Sequence, residues 1–162
     1  MALTAAHGFH RVNLVRRPEA IAELSDMGMT NIVATSDANW VEQVKAITGP
    51  DGARSAVDSV GGAIGARLID VLGQDGELVI FGTATGEPMP LNSGALIFKQ
   101  ITIKGFWGAK VSTAMANDKK GRLIGELVTL AAQGKLPLPV GGIFDLADAA
   151  KAMDAAQVPG RA

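Results

Sequence analysis

Five short runs rich in apolar and β-branched residues recur along the chain, and helical segments separate each from the next. The runs are Val12–Val15, Ile32–Ala34, Ser55–Val60, Glu77–Phe81 and Ile101–Trp107. Strands joined by single helices cannot pair as hairpins. Such connections close as right-handed crossovers and call for a parallel sheet covered by helices on both faces. The pattern therefore predicts an α/β fold with a doubly wound parallel sheet.

The intervening segments carry helix and turn signals. Pro18 suits the first turn of a helix over Glu19 to Met27, closed by Gly28. Asp37 is placed to cap a helix through Trp40, Val41, Val44 and Ile47. Gly49-Pro50-Asp51-Gly52 reads as a turn, and Gly61-Gly62 breaks the third strand before a helix over 63–72. Gly73-Gln74-Asp75-Gly76 reads as a turn into the fourth strand. A short helix is expected around Ala95 to Phe98, a long amphipathic one over Asp118 to Gln133, and a last one capped by Asp145.

Composition narrows the function. A chain of 162 residues fits one domain and buries a core without disulfide or metal staples. It has no cysteine, which removes thiolate metal sites, iron–sulfur clusters and thiol nucleophiles. A net charge of −1 argues against nucleic-acid binding, and only His7 and His10 could serve a histidine metal site, so no metal is expected. No apolar run approaches the ~18 residues of a membrane span. Arg11, Arg16 and Arg17 precede the first acid, as in a transit peptide, but the first twenty residues hold no serine. The expected compartment is the cytoplasm.

In doubly wound sheets, ligands bind at the carboxyl ends of the strands. Arg16-Arg17 follow the first run; paired guanidinium groups suit a phosphate, and a charged surface turn is the plainer alternative. Asp58-Ser59-Val60-Gly61-Gly62 could bring backbone close to a ligand or simply turn into a helix. Phe81-Gly82-Thr83-Ala84 ends the clearest strand, where Gly82 permits close approach and the following amides could face a cofactor. Phe106-Trp107-Gly108 could flank a flat ring or belong to the core. Asp58, Ser59 and His7 do not make a hydrolase triad, because the Gly-x-Ser-x-Gly elbow and a late histidine are missing. No phosphate loop of the Gly-x-x-x-x-Gly-Lys type and no His-Glu-x-x-His pair is present.

Taken in order, these segments resemble the cofactor-binding domain of the medium-chain dehydrogenase/reductases. Within them the chain is most similar to the zinc-independent 2-enoyl thioester reductases and quinone oxidoreductases. Leu14-Val15-Arg16-Arg17-Pro18, Asp58-Ser59-Val60-Gly61-Gly62 and Leu96-Ile97-Phe98-Lys99 followed by Gly105-Phe106-Trp107 carry the likeness, which extends over the whole chain. The resemblance implies a Rossmann-type fold and NADPH as cofactor. It implies that Arg16 and Arg17 bind the adenosine 2′-phosphate, and that Phe81 to Ala84 and Phe106 to Gly108 lie beside the nicotinamide. It further implies hydride transfer to the β-carbon of an enoyl thioester, or reduction of a quinone.

Against that pattern, residues 1–162 read as a nucleotide-binding domain incomplete at both ends. Met1 to Phe9 resemble the end of the helix after the glycine-rich loop, so the first strand and that loop are lacking. Gly160-Arg161-Ala162 stand where the family continues to a closing strand. The catalytic domain and its tyrosine are also lacking, so no catalytic residue is assigned and the isolated chain is expected to be inactive. In the doubly wound order 3-2-1-4-5-6 the first strand is central. Its lack is expected to expose the inner edges of the strands at Val12 and Ser55, inviting repacking or homodimerisation. The resemblance also implies dimerisation through the strand around Ile101 to Lys104. The alternatives are a catalytically silent module for assembly or regulation, and an α/β domain for another nucleotide such as a methyl donor.

Overall fold

The computed structural model describes residues 2–138 and 140–158. Parallel β-strands flanked by helices make an α/β, Rossmann-like architecture. Helix α1 (Ala2–Ala6) leads to β1 (Asn13–Val15), α2 (Glu19–Asp26), β2 (Ile32–Ala34) and α3 (Trp40–Thr48). Then follow β3 (Ala53–Asp58), α4 (Gly62–Val71), β4 (Leu72–Ile80), α5 (Ser93–Lys99) and β5 (Thr102–Gly105). Helices α6 (Gly108–Ala114), α7 (Asn117–Ala132) and, after a 3-10 turn at Leu146–Asp148, α8 (Ala149–Gln157) complete the chain.

Strand pairing is parallel throughout, but the strands form two sheets, β1-β2 and β3-β4-β5. Among the described residues β1 and β3 do not pair, in line with the exposed inner edges expected at Val12 and Ser55. One core nevertheless serves both sheets. Val33 of β2, Trp40, Val41 and Val44 of α3, Leu68 and Ile69 of α4 and Leu78 of β4 are buried together. The Arg67 guanidinium lies over the Trp40 ring at 5.2 Å, tying α4 to α3.

Several local expectations shift. Asp37 does not cap α3; Asn39 occupies that position, while Asp37 accepts from the Asn39 amide at 3.3 Å and from Gln43 Nε2 at 2.7 Å. The residues 73–76 do not form a turn outside the strand. β4 starts at Leu72, and its register against β3 jumps from Ala53↔Leu72 to Ser55↔Glu77, so the segment bulges. β3 begins two residues early, leaving Ser59 and Val60 in the turn, and β5 stops at Gly105. Helix α6 has no counterpart in the sequence pattern. Helix α7 forms as expected but buries none of its residues, leaving Leu123, Ile124, Leu127 and Val128 exposed. Val57 of β3 is exposed as well. Gly160, Arg161 and Ala162 lie outside the described residues.

Lys99, part of the Leu96–Lys99 signature, holds two elements together. Its Nζ donates to the carbonyls of Ile69 (3.0 Å), Asp70 (3.2 Å) and Leu72 (2.9 Å) at the end of α4. Those carbonyls are the ones a helix end leaves unpaired, and a cation there also suits the helix dipole. Replacing Lys99 by Met should lower the unfolding free energy by about 1.5–3 kcal/mol. The same change at exposed Lys104 should stay within about 0.5 kcal/mol, as urea titration can compare directly.

Candidate functional site at the carboxyl edge of the strands

Parallel strands put all their carboxyl ends on one side of a sheet, and the sequence-predicted segments follow those ends. In the three-stranded sheet the last paired row is Asp58, Ile80 and Gly105. One further bond continues each strand: Phe81 N–H donates to Asp58 O at 2.9 Å, and Phe106 N–H to Ile80 O at 2.8 Å. Phe81–Ala84 and Phe106–Gly108 are thereby brought side by side. Phe106, 44% exposed, and Trp107, 70% exposed, are not core residues, which removes the plainer reading of that pair, and Phe81 is exposed too.

The turn after β3 is built around a buried carboxylate. Asp58, 4% exposed, accepts from the Val60 and Gly61 amides, each at 2.9 Å. Gly61 and Gly62 have φ of 73° and 58°, a backbone that favours glycine. The loop after β4 is laced onto this turn. Ala84 N–H donates to Ser59 O at 3.2 Å, and Thr85 donates to Val60 O from both its amide (3.0 Å) and its hydroxyl (3.1 Å). Two expectations change here. The Ala84 amide is already engaged, leaving the Gly82 and Thr83 amides without a bond among the described residues. Gly82 is small for a different partner: a Cβ there would stand 2.7 Å from Ser59 O. Asp58 was legible only as part of a glycine turn, and Thr85 carried no sequence signal at all.

Arg16 and Arg17 follow β1 in the other sheet. Helix α3 joins β2 to β3 and packs against β2 and α4, and the arginines stand at the carboxyl end of the β1-β2 sheet. Both are exposed, and neither guanidinium has an ion pair or hydrogen bond among the described residues. The unpaired interval between β1 and β3 separates them from the aromatic segments.

A family model described as zinc-binding dehydrogenase matches residues 1–120. The chain belongs to that family. It therefore falls among the medium-chain dehydrogenase/reductases. The human mitochondrial enoyl-[acyl-carrier-protein] reductase is 27% identical over 161 residues, covering 97% of this chain but 43% of that protein. The chain thus spans less than half the length of this curated relative. A crystal structure of a candidate NADPH:quinone reductase from Bacillus thuringiensis superposes with a TM-score of 0.84 at 23% identity, over 99% of this chain and 49% of that one. The Escherichia coli quinone oxidoreductase complexed with NADPH gives a TM-score of 0.74 at 24% identity, over 86% and 42%. Despite the family's name the residues do not fit zinc. Cysteine is absent, and no group of three or more His, Asp or Glu among the described residues could hold a metal ion.

The Asp58 turn should govern the order of the neighbouring loop. Asp58→Ala leaves the buried Gly61 amide and the part-buried Val60 amide without acceptors, at a cost of about 1–3 kcal/mol. Amide exchange over residues 81–86 should quicken in that variant while β1 and β2 keep their rates.

Proposed function

We propose that this chain holds NADPH in a reductase that delivers hydride to the double bond of a 2-enoyl thioester or to a quinone. The position of Arg16-Arg17, Phe81–Ala84 and Phe106–Gly108 directly after the carboxyl ends of parallel strands, with the last two side by side, supports the reading. The unpartnered guanidinium groups fit the doubly charged 2′-phosphate, which they can grip through paired hydrogen bonds. The free Gly82 and Thr83 amides and the exposed rings of Phe81 and Trp107 suit the carboxamide and flat ring of nicotinamide. Bound there, the cofactor supplies the hydride, and the chain's own residues orient it. The names of the human and Escherichia coli relatives, an enoyl reductase and a quinone oxidoreductase seen with NADPH, support the substrate classes and the cofactor.

We read residues 1–162 as a nucleotide-binding domain whose catalytic partner groups lie elsewhere. The absence of tyrosine and the 43% coverage of the human relative support this. The chain alone should therefore not oxidise NADPH with an enoyl thioester or a quinone above background. NADPH should still bind more tightly than NADH, read by quenching of Trp107 at the edge. The double variant Arg16→Ala/Arg17→Ala should lose at least tenfold in that preference, about 1.4 kcal/mol. An unchanged preference would overturn the phosphate role of the arginines. Binding of neither nucleotide would favour the alternative, a Rossmann-type module serving assembly.

A homodimer is proposed through the outer edge of β5, where Thr102 and Lys104 are exposed and no strand follows among the described residues. Sedimentation should show self-association that Ile103→Pro abolishes; a monomer at all concentrations would remove this route. No helix among the described residues is long and apolar enough to cross a membrane. The cytoplasm is the proposed compartment, and imaging of a tagged product tests it against the mitochondrial location in the human relative's name.

A further inference from the structure

Hydrogen bonds rather than core packing order the loop after β4, since none of residues 81–88 is buried. Thr85 is its main link to the turn after β3. The Thr85 hydroxyl donates to Val60 O and accepts from the Glu87 amide at 3.2 Å, while the Thr85 amide donates to the same Val60 carbonyl. Gly86 N–H donates to Thr83 O at 3.0 Å and closes residues 83–86 into a turn. An exposed threonine thus spends both the donor and an acceptor of its hydroxyl on backbone groups.

Val60 is itself held by Asp58, whose carboxylate accepts from the Val60 amide. Glycines make room for the joint. A Cβ on Gly62 would stand 3.0 Å from the Thr85 hydroxyl oxygen, and one on Gly65 would stand 2.5 Å from Asp58 Oδ2 and 3.1 Å from the Met89 methyl. The start of α4 therefore yields space to the carboxylate, to Thr85 and to the far end of the loop. A continuous run of bonds leads from the buried Asp58 carboxylate through Val60 and Thr85 to the segment that carries the unbonded Gly82 and Thr83 amides.

We propose, on the cofactor reading above, that Asp58 and Thr85 are positioning residues for the nicotinamide half of NADPH. Neither touches the cofactor. They hold the Gly82 and Thr83 amides in one direction, so that the carboxamide binds without first having to order the loop. The 2′-phosphate half falls to Arg16 and Arg17, which follow β1 in the other sheet and share no bond with this run. The two halves of the cofactor therefore draw on separate parts of the chain, and only one of them depends on Thr85.

Two ligands separate the halves: NADPH, and 2′-phospho-ADP-ribose, which is the same molecule without nicotinamide. Thr85→Val keeps the shape and the amide of Thr85 and removes its hydroxyl. Calorimetric titration of the whole chain should show NADPH weakened about fivefold, the worth of about one hydrogen bond, and 2′-phospho-ADP-ribose unchanged within about twofold. Thr85→Ser, which keeps the hydroxyl, should restore NADPH affinity. Asp58→Asn can offer an acceptor to only one of the two amides and should act in the same direction; if that variant does not fold, the Thr85 pair decides. Equal weakening of both ligands, no weakening, or a serine variant as weak as the valine one overturns the positioning role and leaves the cofactor reading standing. If the unaltered chain binds neither ligand, the cofactor reading falls and the positioning role with it.

Discussion

Burial of Trp40 between α3 and α4 is the interaction on which the rest of this fold depends. The two sheets share no hydrogen bonds among the described residues, so their relative placement rests on side-chain packing. Trp40 is 1% exposed and meets the cluster formed by Val44, Leu68 and Ile69. Truncating a buried tryptophan costs about 3–5 kcal/mol in typical cores, a large part of a small domain's net stability. Its indole Nε1 is buried without an acceptor, and that omission works in the opposite direction by about 1–3 kcal/mol. The apolar area outweighs the missing bond, and Arg67 over the ring adds a further attraction of about 0.5–2 kcal/mol.

That packing decides what the carboxyl edge can be. If α3 and α4 moved apart, Arg16 and Arg17 would keep their place after β1 but lose their relation to the aromatic segments. Within the larger sheet the relation needs no such help. Register fixes Phe81 beside Asp58 and Phe106 beside Ile80, and the Asp58 carboxylate fixes the turn that receives Ala84 and Thr85. Each link is a short-range consequence of parallel pairing, so the edge is ordered on β3 to β5 and dependent on core packing across to β1.

The sequence made the strand positions legible because period and punctuation are local. Five runs separated by helical segments left no simpler topology than a parallel sheet, and Arg16 and Gly82 marked the ends of β1 and β4 closely, whereas β3 and β5 end earlier than Gly61 and Gly108 suggest. What escaped was tertiary. Asp37 looks like a cap because it precedes an apolar helix, yet the helix begins later and Asp37 bonds to Asn39 and Gln43 instead. Gly73 to Gly76 have turn composition, and only pairing with β3 turns them into a bulge. Gly82 looks like an opening for a ligand, and the Ser59 carbonyl occupies the space. The apolar stripe of α7 correctly marks a helix, but periodicity cannot say whether a surface is there to receive it.

Cavity size alone does not lead to the edge proposed for the cofactor. A hollow of about 980 Å³ opens at the opposite, amino edge, lined by Lys45, Asp51, Gly52, Asp70, Gly73 and Lys99. The Lys99 ammonium there is already held by three carbonyls, and Gly52 and Gly73 approach so closely that a Cβ on Gly52 would stand 2.7 Å from the Gly73 nitrogen. Those contacts close a helix end and a strand start, and they leave no spare donor on Lys99 for a ligand. The carboxyl ends of the strands are open by comparison, yet they hold the free guanidinium groups, the free amides of Gly82 and Thr83 and the exposed rings. Recognition needs unspent donors, and parallel strands deliver them to the end where their chains leave the sheet.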